Sequence, residues 1–136
     1  MLDVARALPA WFNDDGLEQI ERDALMQAGA VAESEGQPVG FVTWVTDGEM
    51  GEIGWIGVHP DHHGDGIGRQ LVSMAETAIG EAGVTELFVE TLGESVEYEP
   101  CDGTRAFYRA VGFVDFEAWP TDNPGMPEVL RLRKVL

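Results

Sequence analysis

Cysteine, lysine and long apolar runs are nearly absent from this sequence of 136 residues. The one cysteine, Cys101, excludes an internal disulfide and a metal site built from several cysteines. No run approaches the roughly 18 to 20 apolar residues that a membrane-spanning helix needs. The first residues lack the cationic and apolar segments of a signal peptide. The sequence therefore predicts a cytoplasmic protein.

Basic residues are also scarce. The chain carries 8 Lys and Arg against 25 Asp and Glu, which gives a formal net charge of −17. Such an acidic surface repels nucleic acid backbones and anionic membranes, so neither is expected as a partner. Two explanations of the charge stay open: attraction of a cationic substrate, or a halophilic adaptation of the whole surface to a salty cytoplasm. We favour salt adaptation, because dispersed acid with a single lysine, Lys134, is a general surface property.

Enough apolar residues are present, at 44%, to build a core. The length suits one domain over residues 1–136. Periodicity predicts the order helix, helix, three strands, helix, strand, helix, two strands. Helices are expected at 3–12, 17–27, 67–82 and 104–111, and strands at 30–33, 39–46, 50–58, 85–92, 113–119 and 129–135. A polar loop is expected at 93–100. The fold class is therefore α/β, with a sheet of mixed direction flanked by helices.

A glycine-rich segment, 63–68 (HGDGIG), runs from a predicted strand end into the strongest predicted helix. Backbone N–H groups in a first helical turn have no internal partner, and the helix dipole attracts anions there. Gly64, Gly66 and Gly68 remove side chains that would keep a phosphate away from those amides. The segment predicts a pyrophosphate site, with a plain tight turn as the alternative. It matches neither a P-loop nor a full dinucleotide fingerprint.

Two segments together resemble the GNAT superfamily of acyl-CoA-dependent N-acyltransferases. The first, 58–60 followed by 63–68, is similar to the acyl-CoA motif, whose usual form is Gln or Arg, two residues, Gly, one residue, Gly or Ala. It departs from that form at His63, and at Asp65, where a basic residue is common. The second, 104–113 (TRAFYRAVGF), resembles the late helix of the family, where a Phe-Tyr pair precedes Gly-Phe. The two motifs occur in the order that the family requires, with a predicted strand between them.

This resemblance implies a single GNAT-like domain that transfers an acetyl group from acetyl-CoA to a primary amine of a small-molecule or peptide acceptor. It covers the chain from about residue 30 to 135, and the usual first strand of the family has no clear counterpart at the start of the chain. A catalytically silent acyl-CoA-binding or regulatory module of the same fold is the alternative function. A homodimer is left open.

The resemblance also implies roles for individual residues. Tyr108 matches the general acid that protonates the departing thiolate, and Glu90 lies where many members place a carboxylate base. The alternatives are an ordinary half-buried tyrosine and a solvent-facing edge glutamate. A backbone N–H of Ile56 or Val58 would face the thioester oxygen, with a bulge at Gly57 freeing it from the strand ladder.

The remaining implied contacts are to the cofactor. Arg69, Arg105 and Arg109 are candidate partners for its phosphates, with surface solubility as the alternative role. Cys101 falls where relatives often carry a cofactor-contacting Asn. No metal is expected, since the adjacent His62 and His63 would diverge. The full set of implied cofactor-binding residues is Ile56, Gly57, Val58, His63, Gly64, Asp65, Gly66, Ile67, Gly68, Arg69, Cys101 and Arg105.

Overall fold

The structure is a computed structural model that describes residues 7, 17–19, 27–95 and 99–136, with side chains in the last range from residue 103 onward. The predicted helix at 3–12 lies outside the described residues except for Ala7. Of the predicted helix at 17–27, residues 17–19 are described as helical, and all but Gln27 of the rest lie outside the described part.

In the described part of the chain, six strands form one mixed sheet, as the alternation of apolar residues predicted. They are β1 (Ala28–Ser34), β2 (Gln37–Asp47), β3 (Met50–Val58), β4 (Glu86–Leu92), β5 (Val114–Pro120) and β6 (Glu128–Val135). Their spatial order is β1-β2-β3-β4-β6-β5. Every neighbouring pair is antiparallel except β3 and β4, which are parallel. The α/β class with a sheet of mixed direction is confirmed.

Two long helices follow β3 and β4. The first, α1 (Ile67–Glu81), lies where periodicity predicted it. The second, α2 (Glu99–Ala110), begins earlier than the predicted residue 104, so the expected polar loop up to residue 100 was partly wrong. Pro100 does not prevent this earlier start, because it lies in the first helical turn, where the N–H that proline lacks would have no intrahelical acceptor.

Helix α1 packs closely on β2 and β3 because two strand positions are glycine. A Cβ on Gly40 would lie 3.0 Å from Leu71 Cδ1, and one on Gly51 would lie 2.7 Å from Ile79 Cγ2. Leu71 and Ile79 are fully buried in the core between α1 and the sheet. This close packing places the first turn of α1 near the end of β3. Among the described residues, no helix combines the length and apolar character needed to cross a membrane.

Candidate active site

The parallel strands β3 and β4 pair over only part of their length. Their register runs from Met50 opposite Glu86 to Ile53 opposite Val89 and then stops. Beyond that point β3 continues to Val58 while still paired with β2, and β4 continues while paired with β6. The two facing edges therefore separate, and their main-chain groups are open to a ligand.

The amides of Ile56 and Val58 point into this opening. The N–H of Trp55 donates to Thr43 Oγ1 on β2 at 2.9 Å, and the N–H of His59 donates to the Val39 carbonyl at 2.7 Å. Since main-chain groups alternate sides along a strand, the N–H groups of Ile56 and Val58 face away from β2, towards the separated edge. The Val58 carbonyl points the same way, since its oxygen lies 2.7 Å from His63 Nε2, outside the sheet.

The expected bulge exists but not at Gly57. The β2–β3 register shifts between Val42 and Trp44, which places the irregularity at Gly54 and Trp55, whereas Gly57 pairs regularly with Phe41. A Cβ on Gly54 would lie 2.3 Å from Gln27 Oε1 and 3.0 Å from Thr43 Oγ1, so this stretch of the strand is closely packed. The predicted bulge position was therefore wrong. The irregularity lies at Gly54 and Trp55, at the start of the opening, and not at Gly57.

The glycine-rich loop leads to a helix end that no side chain caps. Gly66 is the N-cap of α1, with φ 81°, and makes no side-chain capping bond. The first hydrogen bond of the helix runs from the Gln70 N–H to the Gly66 carbonyl at 3.1 Å, so the preceding amides have no intrahelical acceptor. Gly64, with φ 86°, and Gly66 both require a left-handed backbone, and a Cβ on either would meet open space.

Gly68 serves packing instead. A Cβ there would lie 3.1 Å from the ring of Phe107 and 3.8 Å from Val58 Cγ2. The expectation that Gly68 clears space for a phosphate is therefore corrected, because its missing side chain would point at α2. At this position the first turn of α1, the end of β3 and helix α2 converge.

Charges near the loop are few. Asp65 is exposed, and its carboxylate lies 3.5 Å from His62 Nδ1. Arg69, in the first turn of α1, is exposed and makes no ion pair with the described residues. Asp65, whose negative charge would repel a phosphate, thus lies next to the imidazole of His62 in the same loop.

Tyr108 lies inside the core, with 5% of its surface exposed. Its ring centroid is 5.6 Å from that of Phe107 and 5.8 Å from that of Phe113. Because Phe107 contacts the first turn of α1, Tyr108 follows directly after the residue that joins the two helices. Its acid role stays a prediction.

Arg105, on α2, is 4% exposed, and its guanidinium donates to the Leu92 carbonyl at the end of β4 at 2.8 Å. Its Nε also lies 3.9 Å from a carboxylate oxygen of Glu94. These contacts connect α2 to the end of β4, and the role of Arg105 as a phosphate partner stays a prediction. Cys101 lies in the first turns of α2, and its side chain is outside the described part. Arg109 pairs with Asp115 and Glu94, and these hydrogen bonds raise its pKa further above the ordinary value.

Glu90 has a partner that the sequence did not reveal. It is the first β4 residue beyond the paired stretch, and Glu52 on β3 stands opposite Phe88, one step earlier on the same face. Burial raises the pKa of Glu52, and the charge of Glu90 and a hydrogen bond between the two carboxyl groups raise it further, against the lowering effect of Arg131. Two neighbouring carboxyl groups, with the pKa of Glu52 raised above its ordinary value, therefore lie where β3 and β4 begin to separate.

This carboxyl pair lies on the face of the sheet opposite α1 and α2. Ile53, Val89 and Leu132 belong to the core beneath α1, and alternate strand residues point to the other face. Arg131, opposite Glu90 in the β4–β6 register, lies on that other face with its guanidinium 4.1 Å from the centre of the Phe88 ring. In the described part of the chain, no group of three His, Cys, Asp or Glu is placed to hold a metal.

Comparison with known proteins agrees with this geometry. The Acetyltransferase (GNAT) domain family matches residues 27–115. This match covers more than half of the chain, so the chain belongs to the GNAT family of acetyltransferases. The family that the two motifs resembled is confirmed.

Two curated relatives are named acetyltransferases: SG1711 of Sodalis glossinidius and ECA0875 of Pectobacterium atrosepticum. Each is 33% identical over 81 residues, which cover 53% of this chain and 57% of the relative. The chain therefore matches little more than half the length of either protein.

Solved structures share the fold over most of the chain. A protein of Desulfovibrio desulfuricans assigned to the GNAT family superposes with a TM-score of 0.84, covering 98% of this chain and 88% of its own at 18% identity. A GNAT family acetyltransferase of Elizabethkingia anophelis, solved with acetyl-CoA bound, gives 0.74 over 90% and 85% at 20% identity. At these identities the likeness establishes the fold.

Proposed function

We propose that the chain transfers an acetyl group from acetyl-CoA to a primary amine. The observation that carries the proposal is the opening between β3 and β4, where the outward amides of Ile56 and Val58 lie next to the uncapped start of α1. Membership of the GNAT family supports this activity, and the Elizabethkingia relative with bound acetyl-CoA supports that donor.

The donor is held by main-chain groups on two elements. Its pyrophosphate binds the amides at the mouth of α1, where the open space around Gly64 and Gly66 admits it. Its pantetheine arm lies along the free edge of β3, over Ile56, Gly57 and Val58. Because main-chain amides supply these contacts, the acidic surface does not prevent binding.

Acid and base act from opposite faces of the sheet. The amine approaches from the face that carries Glu52 and Glu90, and Glu90 takes its proton. The neutral nitrogen attacks the thioester carbonyl, whose developing oxyanion accepts a hydrogen bond from the Ile56 or Val58 amide. The C–S bond then breaks, and Tyr108, on the helix side, donates a proton to the thiolate. The attacking nitrogen loses its remaining extra proton to solvent to give the amide, and solvent reprotonates Tyr108.

Release of free CoA thiol tests the proposal. The protein is incubated with acetyl-CoA in molar KCl and a panel of small amines, amino acids, polyamines, aminoglycosides and peptides. We expect at least one amine to release CoA, and Tyr108→Phe and Glu90→Gln to lower kcat by about 10² or more with little change in acetyl-CoA affinity. Glu86→Gln, on the same face of β4 at its paired end, is the control and should keep full activity.

The outcome separates the two functions that the sequence left open. Tight acetyl-CoA binding without release for any amine would identify a silent binding module. Release that Tyr108→Phe leaves unchanged would show that this phenol is not the acid.

A further inference from the structure

His63 occupies the position where the acyl-CoA motif usually has Gln or Arg, but its ring is directed at the sheet. Its Nε2 lies 2.7 Å from the carbonyl oxygen of Val58. A carbonyl only accepts hydrogen bonds, so Nε2 carries the proton and donates it. The side chain therefore connects the glycine-rich loop to the last residue of β3.

This contact spans the two regions that the proposed function assigns to the donor. Val58 ends the open edge of β3, and α1 begins three residues after Gly64. Between them the backbone bonds within the loop are local, from His62 to His59, from His63 to Pro60 and from Asp65 to His62. In the second half of the loop, His63 supplies the bond that reaches back to the strand.

The hydrogen bond of His63 restricts the loop immediately before two residues that have no side chains to fix their backbone conformation. Gly64 and Gly66, which follow His63, adopt left-handed conformations and have open space where a side chain would be. Glycine loses more conformational freedom than other residues when it is ordered, so a loop with two of them is costly to fix. Ordering the loop before the ligand arrives reduces that cost at binding.

We propose that His63 is a positioning residue, whose Nε2–H bond to Val58 sets the glycine-rich loop and the mouth of α1 relative to the open edge of β3 before acetyl-CoA binds. The inference rests on the proposed function for the identity of the ligand. It gives His63 a role through the backbone rather than through charge on the pyrophosphate.

Side chains of matched reach test this role. In glutamine the amide nitrogen occupies the position of Nε2, whereas in asparagine it occupies that of Nδ1 and is too short to reach Val58. We expect His63→Ala and His63→Asn to weaken acetyl-CoA binding about two- to tenfold, as loss of one neutral hydrogen bond implies. His63→Gln should bind within about twofold of the wild type. Calorimetry measures the affinities, and thermal unfolding confirms that each variant folds.

Kinetics and spectroscopy give independent readouts. In the variants that lose the bond, KM for acetyl-CoA should rise while kcat stays unchanged. In the wild type without ligand, ¹⁵N spectra at pH 8 should show His63 protonated on Nε2.

Several results would overturn the proposal. Equal affinities in all four proteins would show that the bond does not matter, and tighter binding by His63→Ala would show that the ring obstructs the opening. Protonation on Nδ1 alone would remove the bond itself, whether or not acetyl-CoA binds. A wild type that binds no acetyl-CoA while Nε2 is protonated would instead refute the proposed function, and the positioning role would fail with it.

Discussion

At Glu52 the sheet holds a carboxyl group whose surroundings disfavour its ionised form. Burial is the largest cause, and the neighbouring Glu90 adds to it. Keeping Glu52 ionised at neutral pH lowers the stability of the folded protein. Such a group is a candidate for a functional role, since pKa values shifted by burial and by like charge are concentrated at catalytic sites. The pair therefore supports the proposal that the amine approaches from the face of the sheet that carries Glu52 and Glu90.

The raised pKa of Glu52 makes stability depend on pH in a defined direction. The folded state favours the protonated form, so the stabilisation from Glu52 is complete below its ordinary pKa of 4.5 and is lost as the pH rises through the raised value. Glu52→Gln removes this loss. We expect the variant to unfold at higher urea than the wild type at pH 7 and to lose that advantage near pH 4.

A double-mutant cycle is the control for this prediction. In a Glu90→Gln background the gain from Glu52→Gln should shrink, because part of the penalty comes from Glu90. A gain of the same size in both backgrounds, or one independent of pH, would contradict the assignment.

The sequence alone was enough to propose Glu90 as the base, since it lies at a strand end where many GNAT members place a carboxylate. The sequence did not indicate Glu52. Its importance depends on β4 lying beside β3 in parallel register, a long-range pairing that no local pattern in the sequence reports.

Among the elements, helix α1 connects backbone conformation to the proposed binding of the pyrophosphate. Its N-cap, Gly66, is left-handed at φ 81°, and a side chain there is strained even though space is open. Gly80, near the other end of the same helix, is exposed and would meet nothing within 4 Å if it carried a Cβ. The two glycines form a natural comparison.

We expect opposite effects from alanine at these two positions. Gly66→Ala should lower the free energy of unfolding by about 1–2 kcal/mol, the cost of a left-handed alanine, and should weaken acetyl-CoA binding because the helix mouth is distorted. Gly80→Ala should raise the free energy of unfolding by about 0.5–1 kcal/mol through its higher helix propensity, without affecting binding. Urea denaturation and calorimetry measure both quantities. Equal effects of the two substitutions on binding would show that the conformation of the N-cap is unimportant.

Helix α2 shows the limit of local prediction at this scale. Its amphipathic pattern was clear only from residue 104, whereas Pro100 suggested a loop. In the structure α2 meets the first turn of α1 through Phe107 and the end of β4 through Arg105. The burial of Arg105 and its contacts with the Leu92 carbonyl and Glu94 are tertiary features that no local pattern in the sequence reports.

For the whole molecule, the net charge of −17 dominates the electrostatics. Like charges repel one another across a compact surface, and salt screens this repulsion because the Debye length falls from about 10 Å at 0.1 M to about 3 Å at 1 M. If the charge is an adaptation to salt, stability should rise with ionic strength over this range.

Thermal unfolding in KCl tests this at two pH values. At pH 7 we expect Tm to increase by several degrees, on the order of 5 °C, between 0.1 and 2 M KCl, since about 1 kcal/mol corresponds to a few degrees in a domain of this size. At a pH near the isoelectric point of 4.2 the increase should be much smaller, because the net charge is close to zero. The same increase at both pH values would attribute it to general effects of salt on burial rather than to charge.

Properties that depend on composition or on near neighbours followed from the sequence by itself. These are the acidic surface, the order of the described strands and helices, the glycine-rich loop ahead of α1, and the motifs of the GNAT family, because periodicity and turn chemistry act within a few residues. The tertiary structure alone decided where β3 and β4 stop pairing, that Gly68 serves the contact with Phe107, and that His63 turns back to Val58. Each of these requires segments distant in sequence to be brought together, and that is settled by packing of the core.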